Sequence, residues 1–175
     1  TAGLVDSHVT SLVASGSVLL AGTTGGFYRS EDAGSTWTPR SSGLTSRNIR
    51  SIATVHSSVF VGTNGGGVFR SADGGSSWHH VGLGGYSVEA LSVYGTTLFA
   101  GTGDGGVFAS QDRGGSWSQT GLNGYRVLCL ASSGSGIYAG TADHGVFRSD
   151  LDELVASLPS TAVVDFAYQR FIIES

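Results

Sequence analysis

Apolar and polar residues alternate along this chain in short runs, and the runs come in groups of four. Val9–Ser15, 17–23, Phe27–Ser30 and 35–39 form the first group. Ile49–Val55, Ser58–Thr63, 68–71 and 77–81 form the second, and Val88–Tyr94, 96–102, Val107–Ser110 and 116–120 the third. Three runs of a fourth group follow at 127–132, Gly136–Thr141 and 146–149. A period of two, bounded by Gly, Ser, Asp and Asn, predicts half-buried strands joined by turns.

Fixed landmarks keep the groups in step. Gly-Leu recurs at Gly3-Leu4, Gly43-Leu44, Gly82-Leu83 and Gly121-Leu122, and Gly-Thr at Gly22-Thr23, Gly62-Thr63, Gly101-Thr102 and Gly140-Thr141. Both series are spaced by 40, 39 and 39 residues. A repeat of about 40 residues holding four strands is the signature of a propeller blade. The expected fold is therefore an all-β propeller of four-stranded antiparallel blades, about four in this chain. It is one domain over 1–175, with blades near 5–43, 44–82, 83–121 and 122–160.

Between the third and fourth runs of each complete group stands the pattern S-x-D-x-G-x-x-W. Its copies are Ser30, Asp32, Gly34 and Trp37; Ser71, Asp73, Gly75 and Trp78; Ser110, Asp112, Gly114 and Trp117. Each copy suits a tight hairpin turn. The carboxylate accepts hydrogen bonds from turn N–H groups, the glycine takes a backbone conformation costly to other residues, and the serine ties down the start of the turn. The tryptophan, with the largest apolar area of the repeat, pins the next strand to the sheet beneath. Three near-identical copies mark a building rule rather than a catalytic cluster.

At these residues the chain resembles the Asp-box, or BNR-repeat, β-propellers. These include sialidases, sortilin-type receptor domains, xyloglucanase-type glycosidases and the photosystem II assembly factor family. The longer run of Ala-Gly-Thr, a Gly-rich loop, Val-Phe-Arg-Ser and the box is most similar to the last two. The resemblance spans about residues 3 to 150. It implies the fold, and through the assembly-factor and sortilin-like members a protein partner. It alone suggests an extracytoplasmic setting; the compartment is otherwise unknown. Families of unrelated activity share the box, so it does not specify a reaction.

The fourth group lacks the box: Leu151, Glu153 and Ala156 stand where Asp, Gly and Trp are due. Asp150 and Glu153 fit the capping of a short helix that Pro159 ends, and 162–174 reads as one or two strands. The stretch 150–175 is thus a divergent tail. Two closures follow from the need to protect sheet edges. Either the tail supplies the missing outer strand of a compact four-bladed ring, the preferred reading, or the chain is part of a larger ring completed by a second copy or by further sequence. A third view makes the tail foreign to the repeat.

Composition narrows the chemistry. The 175 residues include 29 Gly and 2 Pro without a collagen period, and the 39% apolar content argues against disorder. Net charge is −4, with all nine basic residues arginine, so no basic footprint for nucleic acid exists. No apolar stretch approaches the ~18 residues of a membrane span. Cys129 is alone and, in its apolar run, is expected to be a small buried side chain.

Ligands of propellers generally meet the face opposite the boxed turns. There the entry loops 6–8, 46–48, 85–87 and 124–126 and the Gly-rich loops differ from blade to blade. Tyr86 and Tyr125 share one repeat position and could stack on sugars, or else pack between blades. Arg47, Arg126, Asp104, Asp143 and His144 are the candidate polar contacts. No catalytic set emerges. Arg29, Arg70 and Arg148 occupy one repeat position and are spread around the ring, so they cannot form a sialidase-type triad. Glu89 has no specified second carboxylate at the ~5 Å a retaining glycosidase needs. No metal or cofactor motif is present; His79 and His80 point to opposite sides of a strand, and Asp143-His144 lacks a third ligand. The expected role is a non-enzymatic module presenting loops to a protein or glycan partner. The alternatives are a lectin-like propeller, a glycosidase, or a designed or reassembled repeat protein without an evolved ligand.

Overall fold

A computed structural model describes residues 2–6, 8–134, 136–150 and 172–173. They form four antiparallel four-stranded sheets and, among the described residues, no helix. Blade one is β1 (Val9–Ser15), β2 (Val18–Thr23), β3 (Phe27–Ser30) and β4 (Thr38–Pro39). Blade two is β5 (Ile49–Val55), β6 (Ser58–Thr63), β7 (Gly67–Ser71) and β8 (His79–Gly82). Blade three is β9 (Val88–Tyr94), β10 (Thr97–Thr102), β11 (Val107–Ser110) and β12 (Ser118–Gly121). Blade four is β13 (Val127–Ser133), β14 (Gly136–Thr141), β15 (Val146–Asp150) and β16 (Ile172–Ile173). Strands neighbour one another in chain order within every blade. The chain is a β-propeller domain, as the period predicts.

The fourth strands of the first three blades start just after each tryptophan, later than the alternation suggests. The preceding N–H groups are already taken: Asp32 accepts Thr36 N–H at 2.8 Å and Asp73 accepts Ser77 N–H at 2.9 Å. Trp78 N–H turns away from the ladder to Ser42 O, in the linker from blade one, at 3.0 Å. Pro39 ends the first blade's outermost strand, where a missing donor harms no ladder.

The Gly-Thr landmark has two physical jobs. The threonine hydroxyl closes the Gly-rich loop in all four blades, donating to the carbonyl of Gly26, Gly67, Gly106 or Gly145 at 2.9–3.0 Å. The glycine admits the inner strand of the next blade. A Cβ on Gly22 would stand 2.5 Å from Ile49 Cγ2, on Gly62 2.6 Å from Val88 Cγ1, and on Gly101 2.5 Å from Val127 Cγ1.

The core is a series of layers between successive blades. Leu20 and Phe27 of blade one meet Ile52, Val61, Phe69 and Trp78 of blade two. Ala53, Phe60 and Val68 meet Val88, Leu98 and Ala100. Phe99, Val107 and Ala109 meet Val127, Ile137 and Ala139.

The preferred closure does not form. The inner strands pack β1 on β5, β5 on β9 and β9 on β13, but among the described residues β13 has no such packing with β1. Residues of the tail do add the outer strand: β16 pairs with β15 through Phe147↔Ile173 and Arg148↔Ile172. That strand lies on the outer edge of blade four, so it cannot bring the first and last blades together. The blades form an open arc. Cys129 corrects a second expectation: it is exposed, because it lies on the side of blade four that no further blade covers. Asp150, expected to cap a short helix, is the last residue of β15; the rest of that expected helix, 151–159, lies outside the described residues, as do the expected tail strands apart from 172–173.

Candidate functional site

The three boxed turns share one geometry. Ser71 Oγ donates to Asp73 Oδ1 at 2.7 Å and accepts Gly75 N–H at 2.7 Å. Ser77 gives its N–H to Oδ1 and its hydroxyl to Oδ2 of the same carboxylate, at 2.9 and 2.6 Å. The first and third copies repeat these bonds around Asp32 and Asp112. The residue after each Asp and the Gly that follows it are left-handed, with φ from 56° to 96°. Both oxygens of each carboxylate accept hydrogen bonds inside their own turn.

Those bonds favour the ionised acid. Thr36 hydroxyl and N–H, with Ser30, hold Asp32 down to about 2. Ser77 and Ser71 hold Asp73 still lower, and Ser116 with Ser110 lowers Asp112. A depressed carboxyl stabilises the fold above its unfolded value near 4 and loses that contribution as pH falls through the folded value. The melting temperature is therefore expected to drop between about pH 4 and 2. Asp73→Ala is expected to melt several degrees lower at pH 7, with a shallower acid limb, while ligand binding stays intact. Unchanged melting with lost binding would make the box a binding site instead.

The tryptophans fasten blade to blade. Trp78 Nε1–H donates to Arg40 O of blade one at 2.8 Å, and Trp117 Nε1–H to Val81 O of blade two at 2.8 Å. Trp78 also meets Phe27 edge-on, 4.8 Å between centroids. Trp37 belongs to the first described blade, and its indole N–H turns to Gly34 O of its own turn at 3.2 Å. The sheet beneath the second and third boxes is the preceding blade. Arginines of blade one hold the second box too: Arg29 Nη1 donates to Gly74 O and Arg40 Nη1 to Ser76 Oγ. A groove of about 180 Å³ beside them, lined by Arg29, Glu31, Asp32, Thr36, Thr38 and Arg40, is smaller than the ~300 Å³ at which ligand pockets begin.

The loop face is held by a bond repeated in each blade. Thr24, Asn64, Gly103 and Ala142 donate their N–H to the carbonyls of His8, Asn48, Ser87 and Arg126. Blades two and three are further joined there. Ser87 Oγ donates to Asn64 Oδ1 at 2.7 Å and accepts Gly65 N–H at 3.1 Å, while Tyr86 O accepts Gly67 N–H at 3.2 Å. In blade one Asp6 accepts His8 N–H and Thr24 hydroxyl, and these bonds lower its carboxyl.

On this frame Tyr86 lies against Phe108, 5.2 Å between centroids, and Tyr125 against Phe147, 5.5 Å. Both contacts are within a blade rather than between blades, and both rings stay half-buried. Tyr125 also meets His144 edge-on at 4.6 Å. Arg47, Arg126, Asp104 and Asp143 are exposed on their own blades, with no hydrogen bond or ion pair among them. Tyr125 and His144 are thus the candidates brought together. Among the described residues no three His, Cys, Asp or Glu side chains cluster as a metal site.

One repeated feature escaped the alternation. Each inner strand carries a bulge that sets aside one residue: Thr10, Arg50, Glu89 and Leu128. Bulges re-aim side chains. Thr10 Oγ1 crosses to Ile49 O of the next blade at 2.7 Å, and Arg50 Nε lies 3.8 Å from Glu89 Oε2. Glu89 is thereby engaged by an arginine. Thr10, Arg50 and Glu89 are polar at this repeat position, whereas Leu128 in blade four is apolar.

A family model described as the DUF6242 beta propeller domain matches residues 6–124. Comparison with the curated proteins finds no match. Among solved structures, the extracellular domain of BT4673 from B. thetaiotaomicron aligns with 96% of this chain and 22% of its own, at 22% identity and a TM-score of 0.74. The GH74 enzyme of Niastella koreensis aligns over 83% and 29% at 21% identity and 0.67. YCF48 bound to D1 peptide aligns over 81% and 50% at 19% identity and 0.64. The chain spans half or less of the length of these structures, and at these identities the likeness shows the fold.

Proposed function

Because the chain belongs to the DUF6242 beta propeller domain family, we propose that it is a non-enzymatic binding module whose loop face meets a protein or glycan partner. One observation carries this reading. The frame repeats bond for bond, while the side chains it holds at the loop tips change from blade to blade. Asp6 and His8, Arg47 and Asn48, Tyr86 and Ser87, Tyr125 and Arg126 stand on equivalent, hydrogen-bonded supports. Varied groups on a fixed scaffold are the arrangement of a recognition surface.

Solved structures similar in fold include an extracellular domain, YCF48 bound to D1 peptide and a GH74 enzyme. The residues favour binding over turnover. The carboxyls whose titration the fold displaces, Asp6, Asp32, Asp73 and Asp112, are all held down by hydrogen bonds. A general acid needs the opposite shift. The lectin-like version of the reading rests on Tyr125, half-buried beside His144.

The test is a broad glycan array probed with labelled protein, followed by capture of protein partners. Binding to a related set of glycans that falls at least tenfold in Tyr125→Ala and Tyr86→Ala supports the lectin-like form. A blank array with a captured protein partner, lost on Arg47→Ala or Arg126→Ala, supports the protein-binding form. Cleavage of a chromogenic glycoside that disappears in Glu89→Gln overturns both.

A further inference from the structure

The three internal junctions share a set of parts, and the two ends of the arc display those same parts unpaired. At each junction an inner-strand residue of one blade enters the notch above the Gly-Thr glycine of the blade before it. Ile49, Val88 and Val127 are these knobs, all fully buried over Gly22, Gly62 and Gly101. Val9 holds the knob position in blade one and is 45% exposed. Gly140 holds the notch position in blade four, and among the described residues a Cβ there would meet Cys129 of its own blade and no other blade.

The surrounding faces repeat the contrast. Leu12 occupies the register position of Ile52, and Val146 that of Val68. Ile52 and Val68 are buried, whereas Leu12 is 61% and Val146 55% exposed. The exposed large apolar side chains among the described residues all belong to the first and last blades. Trp37 is the tryptophan whose indole N–H reaches no other blade. The linker half of a junction is nevertheless in place on blade one: the backbone N–H of Trp37 donates to Ala2 O at 2.8 Å, as the backbone N–H of Trp78 donates to Ser42 O.

The two open faces differ from each other and match as knob to notch, so the front face of one copy fits the back face of a second. We infer that two copies of this chain close a ring head to tail, blade four of each against blade one of its partner, with Val9 of each copy seated over Gly140 of the other. Two copies give eight blades, within the ~4–8 of closed propellers, whereas three would exceed it. The two junctions are then identical by two-fold symmetry, and no open face remains. This inference stands apart from the binding reading: the ring can form whatever the loops recognise.

Sedimentation of the full chain tests it. The expected species has about twice the 17.8 kDa mass of the chain. Leu12→Asp spoils only the front face and Val146→Asp only the back face; each alone is expected to sediment as a monomer with an unchanged far-ultraviolet spectrum. Should Val146→Asp fail to fold, Ala131→Asp, on the same exposed back face, takes its place. Mixing a front variant with a back variant is expected to restore a dimer, because each brings the intact face the other lacks. A wild-type monomer at the highest soluble concentration overturns the inference. So does a dimer that survives either variant, or a mixture that stays monomeric.

Discussion

Trp78→Ala is expected to cost about 3–5 kcal/mol of stability. The side chain is buried against Phe27, and its N–H is spent on Arg40 O of the neighbouring blade. Truncation empties the outer part of the junction between blades one and two and leaves that carbonyl without its donor. Trp37→Ala, at the same repeat position, is expected to cost clearly less. Its contacts are with Leu4, Leu19, Ala21 and Tyr28, all of its own blade or the segment before it. Urea unfolding of both variants in the Leu12→Asp background, where the end junction is open, gives the comparison. Equal losses would mean that the tryptophan acts within its own hairpin and not between blades.

Gly62→Ala is expected to cost about 1–3 kcal/mol, near the upper end. The new methyl would stand 2.6 Å from Val88 Cγ1 and 2.8 Å from Val88 O. The second contact is backbone of an inner strand and cannot rotate away. Gly140→Ala makes the same chemical change at the equivalent place in blade four, where the neighbour is the Cys129 sulfur, the end of a side chain free to turn. In the same background its cost is expected to stay within about 0.5 kcal/mol. The difference between the two midpoints measures the price of blocking an occupied notch. Similar losses at both sites would make the effect one of local backbone preference.

The blades were legible because the chain repeats its reasons as well as its letters. Each Gly-Thr marks one loop closure and one notch, and each box one carboxylate held on both oxygens by its own turn. The direction in which the blades bind one another was not legible. Alternation places Trp78 on a face, but only tertiary packing shows that the face belongs to the junction with blade one. The same gap explains Cys129. Its apolar neighbours Leu128 and Leu130 make it look interior, but burial there needs a next blade, and alternation does not say where one stands. At the loop face the sequence named Tyr86 and Tyr125 by position. It could not show that each leans on a phenylalanine of its own blade, because β11 and β15 reach the loop only after the hairpins form. The pair Arg50 and Glu89 was hidden by the bulges, which shift the register by one residue and so break the period on which the reading relies.

An arc in which each blade rests only on its neighbours is a one-dimensional array, and its cooperativity is that of nearest-neighbour coupling. The inner two blades are each clamped from both sides, the outer two from one side. Opening therefore starts at the ends and moves inward, and amide hydrogens of β5 to β12 exchange last. Joining the ends removes the starting points altogether: every blade acquires two neighbours, and unfolding any one of them must then break two junctions at once.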